Sequence, residues 1–166
     1  MLKLSSIVIS FLAVISCSPK QQQSEIDATD IVRFDKDDQE MNDAIVKSRD
    51  SFDEFEKAFE SSKEGLNSFA IKVAFRDAIG GSEHIWIVDL TKDGDEYYGN
   101  VGNEPESTTE VVYGQHIKID RSGISDWMYL ENNVLRGGNT LRVIRNRMSA
   151  EEQKQFDEQT GFIIED

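Results

Sequence analysis

The sequence predicts an α+β domain: an N-terminal amphipathic helix packed on a curved, mainly antiparallel sheet of about five to six strands, with a short C-terminal helix. Three observations predict it. Apolar residues recur at three- and four-residue steps from Met41 to Phe59, the period of one helix face. Beyond Phe69 apolar residues alternate with small or charged ones, the period of a half-buried strand. Turn signals between those runs are close enough for neighbours to pair as hairpins.

The helix begins near Asp38, where Asp37 or Asp38 can cap it, and carries Met41, Ala44, Ile45, Ser48, Phe52, Phe55 and Phe59 on one stripe. The three phenylalanines are expected in the core rather than in a ligand groove. Ser61-Ser62-Lys63-Glu64-Gly65 supplies the stop. The first strand is expected over residues 69–76 and the second over 84–90, with residues 77–82 as a loop. Asp93-Gly94 sits in a hairpin turn, and the third strand follows over 96–101. Further short strands are expected at 115–120, 127–131 and 140–145, with Asn132-Asn133 and Gly137-Gly138 as turns. Ser149-Ala150-Glu151-Glu152 has capping-box spacing and starts the final helix.

Upstream, residues 1–16 have the layout of a signal peptide: a Lys near the start, an apolar run too short to span a bilayer, then a small residue. Val14-Ile15-Ser16-Cys17 looks like a bacterial lipobox, and Cys17 is the one cysteine in the chain. Acylated at Cys17, the protein is expected to be anchored to a lipid bilayer in the cell envelope. Ser18, by the usual sorting pattern, directs it to the outer membrane. No thiol then remains for a disulfide or redox chemistry. Residues 17–36 are polar and Gln-rich and read as a flexible tether with a reach of about 25 Å. Residues 37–166 form the single domain. Loss of Lys3 with the signal takes the basic count from 18 to 17 against 32 acidic residues, a balance of −15. Such a surface repels phosphate backbones and anionic headgroups, so no nucleic-acid partner is expected.

Candidate chemistry is sparse. Glu83 and His84 precede a run of β-branched and aromatic residues, but adjacent strand residues point to opposite faces. An acid–base pair needs hydrogen-bond reach, which this adjacency opposes. Two histidines, His84 and His116, with no free cysteine and no HExxH give no metal expectation. Asp93-Gly94-Asp95 is too short for a calcium loop. There is no GxSxG and no GxxxxGK[ST], and no cofactor is expected. Pro105 forces Glu104 toward an extended conformation beside Asn103. Asp126-Trp127 suits a structural pair, the carboxylate accepting a nearby N–H; Asp126 beside His84 would instead make a carboxylate–imidazole pair.

Phe69-Ala70-Ile71-Lys72-Val73-Ala74-Phe75, Glu83-His84-Ile85-Trp86-Ile87, Asn103-Glu104-Pro105, Ile124-Ser125-Asp126-Trp127-Met128-Tyr129 and Thr140-Leu141-Arg142 occur in that order. Together they resemble the YegJ-like domain of unknown function of bacterial proteins, from about Met41 to Met148. Relatives often carry Gly-Asp before the fifth strand where this chain has Gly114-Gln115. The resemblance implies a compact α+β domain, exported in some members, and no particular activity. A shared family site would use Glu83, His84, Asn103, Glu104, Asp126 and Trp127.

Three functions are carried forward. The first is an envelope lipoprotein whose domain binds a protein or ligand, a basic protein among them, through Glu83, His84, Asn103, Glu104, Asp126 and Trp127. The second is an immunity-like protein that neutralises a toxin by charge-complementary docking. The third is a hydrolase in which His84 is the base, oriented by Asp126 or Glu83.

Overall fold

A computed structural model describes residues 38–165. The expected signal peptide, the acylation expected at Cys17 and the expected tether all fall outside the described residues. Helix α1 (Gln39–Asp50) opens at Asp38, whose carboxylate accepts from the Met41 amide. The expected single helix is instead two, because α2 (Phe52–Phe59) starts anew after Ser51. The Ser51 hydroxyl donates to the Lys47 carbonyl at 2.7 Å, a back-bond of the kind that bends helices.

Six strands follow: β1 (Leu66–Arg76), β2 (Ser82–Asp93), β3 (Glu96–Val101), β4 (His116–Lys118), β5 (Ile124–Glu131) and β6 (Val134–Gly137). They form one open sheet in the order β4-β3-β2-β1-β5-β6, with every pairing antiparallel. β6 occupies the space between two expected turns. Asn132 and Asn133 both take positive φ, the conformation of a two-residue hairpin turn. The expected strand at residues 140–145 is instead helix α3 (Asn139–Asn146), and α4 (Ala150–Thr160) starts at the capping box on Ser149.

Both faces of the sheet are covered. On one, the Phe52, Phe55 and Phe59 rings of α2 pack on Ile71, Ile85, Ile87, Tyr97 and Trp127. On the other, Leu141 of α3 and Phe156 of α4 pack on Ala70 and Trp86. Helix α1 joins α3 through Met41, Ala44 and Val143. Among the described residues, no helix is long and apolar enough to cross a membrane.

Candidate functional site

Glu83 and His84 open β2 and point to opposite faces, as the strand period dictates. Glu83 shares the core face with Ile85 and Ile87 and is itself buried. Its carboxylate accepts from the amides of Glu106 (2.7 Å), Ser107 (2.8 Å) and Thr108 (2.6 Å) and from the Ser107 hydroxyl (3.0 Å). Burial pushes this carboxyl up; the four donors outweigh burial and hold it below the usual glutamate range. Asn103 does the matching work one residue pair along. Its Oδ1 accepts from the Trp86 amide at 2.9 Å, and the next amide, Gly102, donates to the Trp86 carbonyl at 2.8 Å. The loop of residues 102–115 is thereby fixed to β2.

The same loop is tied to the β1–β2 connection. Ala78 N–H donates to the Ser107 carbonyl at 3.3 Å, Asp77 bridges Thr108, and Glu110 accepts from the Arg76 backbone and guanidinium. Turned outward from this braced end of the sheet are Glu104, Glu106 and Glu110, with Ile79 (83% exposed), Val112 (64%) and Tyr113 (62%).

His84 lies on the opposite face, in phase with Trp86 and Lys72. Burial and the nearby Lys72 and Arg49 cations push its imidazole down to about 4. Lys72 is buried as well, its ammonium 4.7 Å over the Trp86 ring and donating to Thr140 Oγ1 at 3.1 Å. Burial lowers it to about 8, against the pull of Asp126.

Asp126 faces Lys72 across the β1–β5 register and is fully buried. Its Oδ1 accepts from the Ser48 hydroxyl (2.8 Å) and from the amides of Trp127 (2.8 Å) and Asn139 (3.2 Å). Its Oδ2 accepts from the Thr140 amide (2.8 Å) and hydroxyl (2.5 Å). Gly137 and Gly138 take positive φ just before these amides, so α3 begins on a carboxylate thirteen residues upstream of its first residue. A helix start of this kind is where an anion belongs, and Asp126 is that anion. Trp127 points the other way into the aromatic core, and its indole N–H donates to the Ser48 carbonyl at 2.8 Å.

The six expected site residues therefore divide into three places. Glu83, Asn103 and Glu104 belong to the braced loop. His84 sits across the sheet beside Lys72, and Asp126 with Trp127 locks α1 and α3 onto β5. Sequence reasoning passed over Lys72, Ser48, Asn139 and Thr140. A lysine amid Phe69-Ala70-Ile71 and Val73-Ala74-Phe75 was the available signal, since a charge there enters a core unless the strand is exposed. Among the described residues, no three His, Cys, Asp or Glu side chains gather where one metal ion could be held.

A family model described as "Uncharacterized protein conserved in bacteria (DUF2314)" matches residues 38–163. The chain is 36% identical over 118 residues to the uncharacterized protein YegJ of Escherichia coli, covering 71% of this chain and 74% of that protein. It is also 36% identical over 104 residues to a putative ankyrin repeat protein of Neisseria meningitidis serogroup B, covering 61% of this chain and 41% of that one. No solved structure gives a significant match.

Proposed function

This chain belongs to the DUF2314 family, and from that premise we propose that it is an envelope lipoprotein whose domain recognises a protein partner through the end of the sheet that carries residues 77–81 and 102–115. Glu83 carries the proposal. Burying a carboxylate costs several kcal/mol unless its hydrogen bonds are made. Here that cost goes into holding an exposed loop in one conformation. A fixed loop binds with less ordering entropy than a mobile one. It displays glutamates beside Ile79, Val112 and Tyr113, a combination that suits a basic partner with an apolar anchor.

Acid–base chemistry by the expected trio is the weaker alternative. The Glu83 and Asp126 oxygens are filled by structural donors. An imidazole lowered to about 4 is neutral at physiological pH, far from the pKa match a proton-transfer catalyst uses there. Immunity-like neutralisation is one form of the same docking.

Attachment to the envelope rests on the lipobox at Cys17. Cys17→Ser is expected to abolish acyl labelling and leave the precursor uncleaved; unchanged processing counts against the anchor. For the docking surface, a photo-crosslinking phenylalanine derivative is placed at Tyr113, or at Glu158 on α4 as control, in the membrane-anchored protein. A discrete adduct from position 113 and none from 158 supports the assignment. Equal adducts from both positions, or none from 113, overturns it.

A further inference from the structure

The two edges of the sheet differ. At β6 the chain closes the edge itself: Ile163 bridges Val134 in parallel, its carbonyl accepting from the Leu135 amide and its amide donating to the Asn133 carbonyl, both at 2.8 Å. At the opposite edge β4 pairs with β3 alone. The Val101 amide donates to the Gln115 carbonyl at 3.0 Å, and the Ile119 amide to the Tyr97 carbonyl at 2.8 Å. Residues 115, 117 and 119 thus turn main-chain groups toward β3. Antiparallel pairing alternates, so the N–H and C=O of His116 and Lys118 face away from the sheet. Charged side chains commonly guard such an edge. Here both candidates are drawn back over β3. Lys118 pairs with Glu96. His116 Nδ1 donates to Asn100 Oδ1 at 2.9 Å, and its ring stacks on Tyr98. Asn100 is turned that way because its Nδ2 donates to Asp89 at 3.1 Å. The outward main chain is left uncovered.

Beside this edge is a cavity of about 270 Å³, with Val73 and Phe75 of β1 on one wall and Ile117 of β4 on another. Phe75 and Ile117 are partly exposed, so apolar surface is within reach from outside. The charges around the cavity are matched, Arg76 to Glu110 and Lys118 to Glu96, with Asp120 also under the pull of Lys118. The volume falls short of the usual small-molecule site of about 300–1,000 Å³ and suits a single side chain. A strand laid antiparallel on β4 bonds its main chain to His116 and Lys118. Its residue opposite Ile117 then takes the non-hydrogen-bonded position, where facing side chains sit closest and share one face.

We infer that the outer edge of β4 accepts an extended basic segment of the partner as an added strand, with an apolar side chain against Ile117 at the cavity. This rests on the docking surface proposed above. Val112 and Tyr113 lie just upstream of β4, so the same segment runs on toward the glutamates of that loop. Main-chain hydrogen bonds supply affinity, and the cavity supplies selectivity. A second copy of the chain is a poor occupant. Twofold pairing centred on Ile117 sets the two Lys118 on neighbouring diagonal positions, and each chain carries a net charge of −14.

The probe is the peptide acetyl-Lys-Lys-Thr-Leu-Thr-Lys-Lys-amide, titrated into the full chain in detergent while the His116 and Lys118 amides are followed by NMR. Saturable shifts of both amides are expected. Serine in place of leucine, or N-methylation of both threonines, is expected to weaken binding by about tenfold or more. Glutamate in place of every lysine is expected to abolish it. His116→Pro removes one outward N–H and leaves the ladder to β3 whole. It is expected to lose about tenfold as well, with the Val101 and Ile119 amides still slow to exchange. The N-methylated peptide makes the same cut without touching the fold. No saturable response at either amide, equal binding of the N-methylated or glutamate peptide, or self-pairing of the chain through β4 overturns the assignment. A Tyr113 adduct without this response leaves the docking surface standing and removes the added strand; the response without the adduct does the reverse.

Discussion

His84→Gln gives the sharpest check on the role of the imidazole. Burial and two neighbouring cations hold its folded pKa at about 4, down from 6.5. The unfolded chain therefore binds a proton that the folded chain refuses throughout that window. Stability linked to this group is fully present above pH 6.5 and is lost as pH falls toward 4. One pKa unit is worth about 1.4 kcal/mol, so the loss between pH 7 and pH 4 is about 3 kcal/mol. Glutamine keeps a polar side chain of similar reach and does not titrate. Urea unfolding of wild type and variant at pH 7, 6, 5 and 4, followed by circular dichroism, isolates the term, because the carboxylate contributions are common to both proteins. The variant is expected to lose about 3 kcal/mol less than wild type over that range. Parallel pH profiles would show an imidazole that titrates as in water, and the account of His84 as a desolvated, neutral group would be wrong.

Two further substitutions probe the network behind it. Asp126→Asn replaces an acceptor of five donors with an amide that presents two donors of its own, and removes the Asp126 charge that acts on the Lys72 cation. Breaking a buried arrangement in this way costs about 3–5 kcal/mol, and a loss under about 1 kcal/mol in urea unfolding would contradict the assigned geometry. Lys72 has a folded pKa of about 8 against 10.5, so wild-type stability is expected to rise as pH climbs through that interval. Lys72→Met should remove that rise; a variant that keeps the alkaline rise would refute the assignment.

Much of the fold was legible because it is written locally. The alternation in residues 69–76, the Gly94 turn and the Ser149 box each act within a few residues, and β1, the β2–β3 hairpin and α4 follow. Apart from the local break at Ser51, the failures share one cause, a partner far along the chain. Thr140-Leu141-Arg142-Val143 alternates like a strand, yet it coils because the Asp126 carboxylate meets the Asn139 and Thr140 amides. Ser51 lies between Ser48 and Phe52 of an unbroken apolar stripe, and its back-bond to Lys47, four residues back, parts the two helices. The strand period correctly separated Glu83 from His84. It did not show that Glu83 would be spent on residues 106–108, more than twenty positions ahead, nor that Lys72 and Asp126 would meet across β1 and β5.

Amide hydrogen exchange at Glu106, Ser107 and Thr108, compared between wild type and Glu83→Gln, tests the central claim most directly, since these three N–H groups donate to one buried carboxylate. Slow exchange in wild type is expected, with protection of these three amides falling by at least tenfold in the variant while the β1 and β5 amides keep theirs. Equal protection at residues 106–108 in both proteins would contradict the claim that Glu83 holds the loop.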